Sequence, residues 1–197
     1  DTLGGGMSGQ THWTVGNSPY FIDNDIVVHE GHTLVVEPGA EIRVRGPYEI
    51  VVDGSVEAIG TEEEMITFTR SNPLLKWDGF RYFEPGDAGP SEFEHCIFEH
   101  GATFGDFPVA NNSGGAFYIK EFDDISFSHC IFRHNEAFFP SSPYYPTGGA
   151  IAMWDSDPVI SHCEFYENSG WRGGAVNCYE SSAPVIEYCL FRHNYAE

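Results

Sequence analysis

From residue 93 onward one arrangement of apolar and polar positions keeps returning. Phe93-Glu94-His95-Cys96-Ile97-Phe98-Glu99-His100 is followed by Phe127-Ser128-His129-Cys130-Ile131-Phe132-Arg133-His134-Asn135, by Ile160-Ser161-His162-Cys163-Glu164-Phe165-Tyr166-Glu167-Asn168 and by Ile186-Glu187-Tyr188-Cys189-Leu190-Phe191-Arg192-His193-Asn194. A second motif interleaves with the first: Gly114-Gly115-Ala116-Phe117, Gly148-Gly149-Ala150-Ile151 and Gly173-Gly174-Ala175-Val176, with 77–82 as a degenerate first copy. The apolar runs are short and alternate with period two, where a helix would space them three and four apart over ten or more residues, so they predict strands. The motif cysteine moves from 96 to 130 to 163 to 189, steps of 34, 33 and 26 residues. Strand-turn repeats of this size that keep the same inward positions stack as coils of an all-β parallel solenoid.

Stacking places like residues of successive coils about 4.8 Å apart in columns. The inward columns are then Cys96, Cys130, Cys163 and Cys189; Phe98, Phe132, Phe165 and Phe191; and Ile119, Met153 and Cys178. Cysteines in such columns act as small buried hydrophobes with inert thiols, and a disulfide between stacked neighbours is the alternative. Asn135, Asn168 and Asn194 form a turn column whose amides bond to one another and to turn backbone. Upstream, Ile26-Val27-Val28, Thr33–Val36, Glu41–Val44, Ile50–Val52 and the stretch 61–68 predict narrower coils. The expected organisation is one domain over 1–197: a capping segment at 1–24, narrow coils at 25–76 and motif-bearing coils at 77–197.

Nine Lys plus Arg against 30 Asp plus Glu give a formal charge of −21, which argues against nucleic acid and anionic lipid surfaces as partners. No stretch approaches the roughly 18 apolar residues of a membrane span, so no membrane insertion is expected. An acidic, lysine-poor, aromatic-rich chain without an initiator Met reads as a mature secreted, extracellular or bacterial cell-surface protein. Five cysteines cannot all pair within one chain.

Trp13 through Arg43, with Ser18-Pro19-Tyr20, Val36-Glu37-Pro38-Gly39, Asp53-Gly54 and Ala58-Ile59-Gly60-Thr61, resembles the N-terminal coils of bacterial secreted right-handed parallel β-helix repeat proteins. The Gly-Gly-Ala and Cys-x-Phe-x-x-Asn segments resemble their repeating coils. The resemblance implies a right-handed parallel β-helix (pectin-lyase-like) and an exported protein of the noncatalytic surface type. The architecture carries lyases, hydrolases, adhesins and noncatalytic modules alike.

Several groups are candidates for chemistry. No lyase signature is present and no catalytic residues are assigned: Lys120, Arg133, Arg192, His134 and His193 fall on outward columns whose other members differ. The columns His95, His129, His162 and His100, His134, Glu167, His193 place metal-capable groups on consecutive coils, with a solvated face as the plainer reading. The turn stack Glu121, Asp123, Asp124, Asp155, Asp157 and Glu180 is acidic; no cofactor is expected, calcium being the one candidate to relieve it and a solvated acidic face the plainer reading. Two coils carry eight extra residues at one corner, where Phe104 and Phe107, then Phe138, Phe139, Tyr144 and Tyr145, join Trp171 of the shorter coil. Aromatics gathered on one face suit polysaccharide or protein binding. Asn111-Asn112-Ser113 is a glycosylation sequon.

The chain stops directly after a complete Cys-x-Phe-x-x-Asn element, so other subunits or further domains are expected at the last coil, and head-to-tail stacking there gives a filament. The reading is a noncatalytic extracellular or cell-surface module acting as structural or adhesion scaffold. The alternatives are a polysaccharide lyase or hydrolase domain and a carbohydrate-binding module using the aromatic corner.

Overall fold

The computed structural model describes residues 2–7, 9–84, 88–103, 113–137 and 146–197. Every strand pairing in them is parallel, with one shift of register between Leu3 and Gly5 where Thr2–Met7 meets Tyr20–Val28, and the strands follow one another around three faces before returning to the first. The first face holds Ile50–Val52, Phe80–Phe83, Phe117–Lys120, Ile151–Trp154 and Val176–Tyr179. The second runs from Gln10–Trp13 and Thr33–Val36 through Ser91–Glu94 and Ile125–Ser128 to Val185–Glu187. The third runs from Glu41–Val44 and Ile66–Arg70 through Cys96–Glu99 and Ile131–Arg133 to Leu190–Arg192. Each circuit of the chain therefore pairs with the circuit before and after it, which is a right-handed parallel β-helix.

The motif beginning at Phe93 is not one strand. Phe93, Cys96 and Phe98 all point inward with no exposure, a step of three and then of two, so the alternation is broken once. The break is a corner at His95, whose φ of 47° is left-handed. The same conformation recurs at the corners of the later coils: Glu84, Glu121, Asp155 and Glu180 after the first face, His95, His129, His162 and Tyr188 after the second, His100, His134, Glu167 and His193 after the third. A single left-handed residue turns the chain sharply between strands and aims its own side chain outward.

The interior is a set of ring columns. Phe68, Phe98, Phe132, Phe165 and Phe191 lie face to face at 5.2, 5.1, 4.7 and 4.7 Å, while Phe117 meets Phe98 and Phe127 edge-on across the lumen, both at 4.8 Å. Stacking along the axis and edge-to-face contact across it are both favoured ring geometries.

Two expectations are revised. Residues 1–24 are not a separate cover: Gln10–Trp13 pairs with Thr33–Val36 and Thr2–Met7 with Tyr20–Val28, because Trp13 and Tyr20 are themselves buried, stacked at 5.5 Å. Cys178 stands in the Met153 column by register yet is exposed, because it belongs to the outermost coil.

Candidate functional site

The outward residues of each corner form ladders one coil apart, and their polar atoms divide into those that hold the coils together and those that do not. At the turn after the third face, Asn168 Oδ1 accepts from the Asn135 backbone N–H and side-chain amide, both at 3.0 Å, while the Asn168 side-chain amide donates to Phe132 O at 2.9 Å and to Asn194 Oδ1 at 2.9 Å. Gly101 replaces asparagine in the first copy because a Cβ there would sit 2.2 Å from the Gly115 carbonyl oxygen; its N–H instead donates to Asn135 Oδ1. The cysteine column is structural in the same way. All five thiols are free, Cys96 and Cys130 donate to Ala58 O and Phe93 O on the preceding coil, and burial pushes the Cys130 thiol well up.

The acidic stack Glu121, Asp123, Asp124, Asp155, Asp157 and Glu180 is exposed throughout. Three of its carboxylates cap the backbone of the next coil: Asp123 accepts from Asp157 N at 2.8 Å, Asp155 from Ser181 N at 3.0 Å, and Asp157 from Ala183 N. Lys120 pairs with Glu84 and lies 3.5 Å from Glu121. The carboxylates are spread along the axis at backbone amides rather than turned toward one point.

The outward cations are engaged as well. Arg133 donates to Glu99 at 2.6 Å and to the Tyr166 hydroxyl at 2.9 Å; Arg192 pairs with Glu164 and lies over the Tyr166 ring. Burial pushes the Glu99 carboxyl up, but the Thr69 hydroxyl and the Arg133 guanidinium outweigh it and hold it below its ordinary value. One cation escaped the sequence reading. Arg81 has no exposed surface; its guanidinium donates to Gly114 O and Asp78 Oδ1, both at 2.9 Å, and to Phe80 O at 3.1 Å. Its only sequence signal was its place between Phe80 and Tyr82, in register with Tyr118.

Of the aromatic corner, Phe104, Phe107, Phe138, Phe139, Tyr144 and Tyr145, like the sequon at Asn111, lie outside the described residues. Trp171 is half-buried and its backbone N–H donates to Ala137 O and Pro146 O.

The corner after the second face differs from these. His95 and His129 stack at 4.8 Å, His129 and His162 at 4.9 Å, and His162 and Tyr188 at 4.9 Å. Among the described residues no hydrogen bond ties these rings to backbone, and the Glu94 carboxylate lies 3.9 Å from His95 Nε2. Among the described residues, only Glu94, His95 and His129 bring three ligand atoms within 4.8 Å of one another.

Comparison with known proteins bears on the coil architecture. The family model described as "Right handed beta helix region" matches residues 78–197, more than half of the chain. The chain belongs to this right-handed β-helix family. No curated protein and no solved structure matches it. The matched span holds all the motif-bearing coils, so the β-helix family accounts for the inward columns and leaves the outward ladders to be read by their own chemistry.

Proposed function

We propose that this β-helix is a noncatalytic module of an extracellular or cell-surface structural scaffold, joined to a further coil through its C-terminal face. One observation carries the reading. Ile160 and Phe165 have no exposed surface, whereas their register partners on the last coil, Ile186 and Phe191, are 39% and 45% exposed, with Val185 and Leu190 beside them. The strands Val176–Tyr179, Val185–Glu187 and Leu190–Arg192 each have one neighbour, so one edge of each presents unpaired backbone groups beside apolar side chains. Such an edge is covered by another strand wherever one is present, and a coil of the same cross-section supplies three at once. The opposite end of a second copy offers two outermost strands, Gln10–Trp13 on the second face and Thr2–Met7 beside Tyr20–Val28, which itself pairs with both the first and the third face. A contact between unlike ends does not close and extends into a filament.

Copies carrying −21 each repel, so end-to-end association strengthens as salt screens the charge. The test is negative-stain electron microscopy with sedimentation velocity over a concentration series at low and high salt, on the chain and on Phe191→Lys. Salt-promoted filaments or linear oligomers, abolished by the substitution, are the expected result. A monodisperse monomer at every concentration and salt overturns end-to-end assembly, and cleavage of a polysaccharide panel by the same preparation overturns the noncatalytic reading.

A further inference from the structure

We propose that the corner formed by Glu94, His95 and His129, with His162 on the next coil, is a binding site for a divalent transition-metal ion of the zinc type. The site is fixed by the backbone beneath it. Glu94 pairs in register with Ser128 and Ser128 with Ser161, so the corners that follow them lie one coil apart. Each corner residue is left-handed, with φ of 47°, 53° and 54° at His95, His129 and His162, and this aims all three imidazoles to the same side.

The distances suit an ion after small side-chain movements. Ligand atoms of Glu94, His95 and His129 lie within 4.8 Å of one another, and zinc bonds of about 2.0–2.2 Å to imidazole nitrogen and carboxylate oxygen bring tetrahedral donors to roughly 3.3 Å apart. The remaining approach is ring and carboxylate rotation at half-buried or exposed side chains, with no change to the strands. The three histidines line an open groove of roughly 450 Å³ whose other walls include Glu62, Glu164 and Met65. That space admits an ion with bound water, a water occupying about 30 Å³; of the two further carboxylates on its walls, Glu164 is already paired with Arg192.

The donor set also chooses the metal. Two or three imidazoles with a carboxylate match zinc, nickel or copper, whereas calcium and magnesium take oxygen donors. The other histidine corner lacks the arrangement. His100 and His134 stack at 5.2 Å and His134 Nδ1 lies 3.2 Å from Glu167 Oε2, but the three do not bring their donor atoms within 4.8 Å of one another.

The test is calorimetric titration of the full chain with Zn2+, with Co2+ absorption as a second readout, because a nitrogen and oxygen set lacks the thiolate charge-transfer band that the exposed Cys178 would produce. His129→Asn removes a ligand while keeping a side chain that tolerates left-handed φ, and an unchanged metal-free melting temperature shows that it folds. The expected result is one saturable site, weakened about tenfold or more by His129→Asn and unchanged by His134→Asn and by Cys178→Ser. The proposal is overturned by an absence of zinc binding, by binding that survives His129→Asn, or by binding lost in Cys178→Ser or His134→Asn.

Discussion

Asn168 is 1% exposed and serves two coils at once, since its oxygen takes both the backbone and the side-chain donor of Asn135. Asn168→Ala leaves two buried donors without an acceptor. At about 1–3 kcal/mol for each unsatisfied group, the variant is expected to lose roughly 2–6 kcal/mol in urea denaturation, and Asn194→Ala, whose side chain is on the outermost coil, distinctly less. Equal losses would show that the ladder does not depend on burial. His100 gives stability a pH dependence of defined sign. Burial, then Arg70, lowers its pKa from 6.5 in the folded state, with His134 and Arg133 adding to the effect and Glu99 opposing it. The unfolded chain therefore takes up the proton first, so this stabilisation is present above about pH 6.5 and is lost as pH falls toward the folded value. The denaturation midpoint should drop between pH 7 and pH 5, less steeply in His100→Asn; parallel slopes for the two proteins would contradict this.

Within a coil, the Gly-Gly pair joins two demands that a side chain cannot meet. Gly148 has a φ of 67°, and a Cβ on Gly149 would lie 2.1 Å from the Gly174 carbonyl oxygen and 2.7 Å from the Ser169 backbone. Gly149→Ala is expected to destabilise by about 3 kcal/mol, whereas Gly16→Ala, with open space around its Cβ, should be close to neutral. Thermal denaturation of the pair decides it. The inward half of each coil was legible in the chain because a column of Phe or Cys repeats its chemistry every circuit. The corners were less so. The three-residue step from Phe93 to Cys96 announces a break in alternation, but the corner residue varies from His to Tyr and carries no turn signature of glycine or proline. Arg81 was missed for a related reason: Asp78 and Phe80 lie beside it in the chain, but the Gly114 carbonyl that it also reaches arrives only from the next coil, and its burial follows from that stacking. The histidine column was visible as spacing, while the approach of Glu94 to it depends on the corner conformation.

Across the whole molecule each coil touches only its neighbours, so stability is a sum of coil and interface contributions rather than one undivided core. Hydrogen exchange should follow that gradient. Amides of Val176–Tyr179 and Leu190–Arg192, supported from one side, are expected to exchange well before those of Phe117–Lys120 and Ile131–Arg133, which are supported from both. Uniform protection would mean that the last coil is held as firmly as the middle ones. The strict register has a consequence for growth. Because Phe93, Phe127, Ile160 and Ile186 occupy one column, a coil copied whole meets at each end the surface it came from. Duplication then lengthens the rod by about 4.8 Å without altering its girth, and the protein's reach is a whole number of identical increments, like the divisions of a ruler.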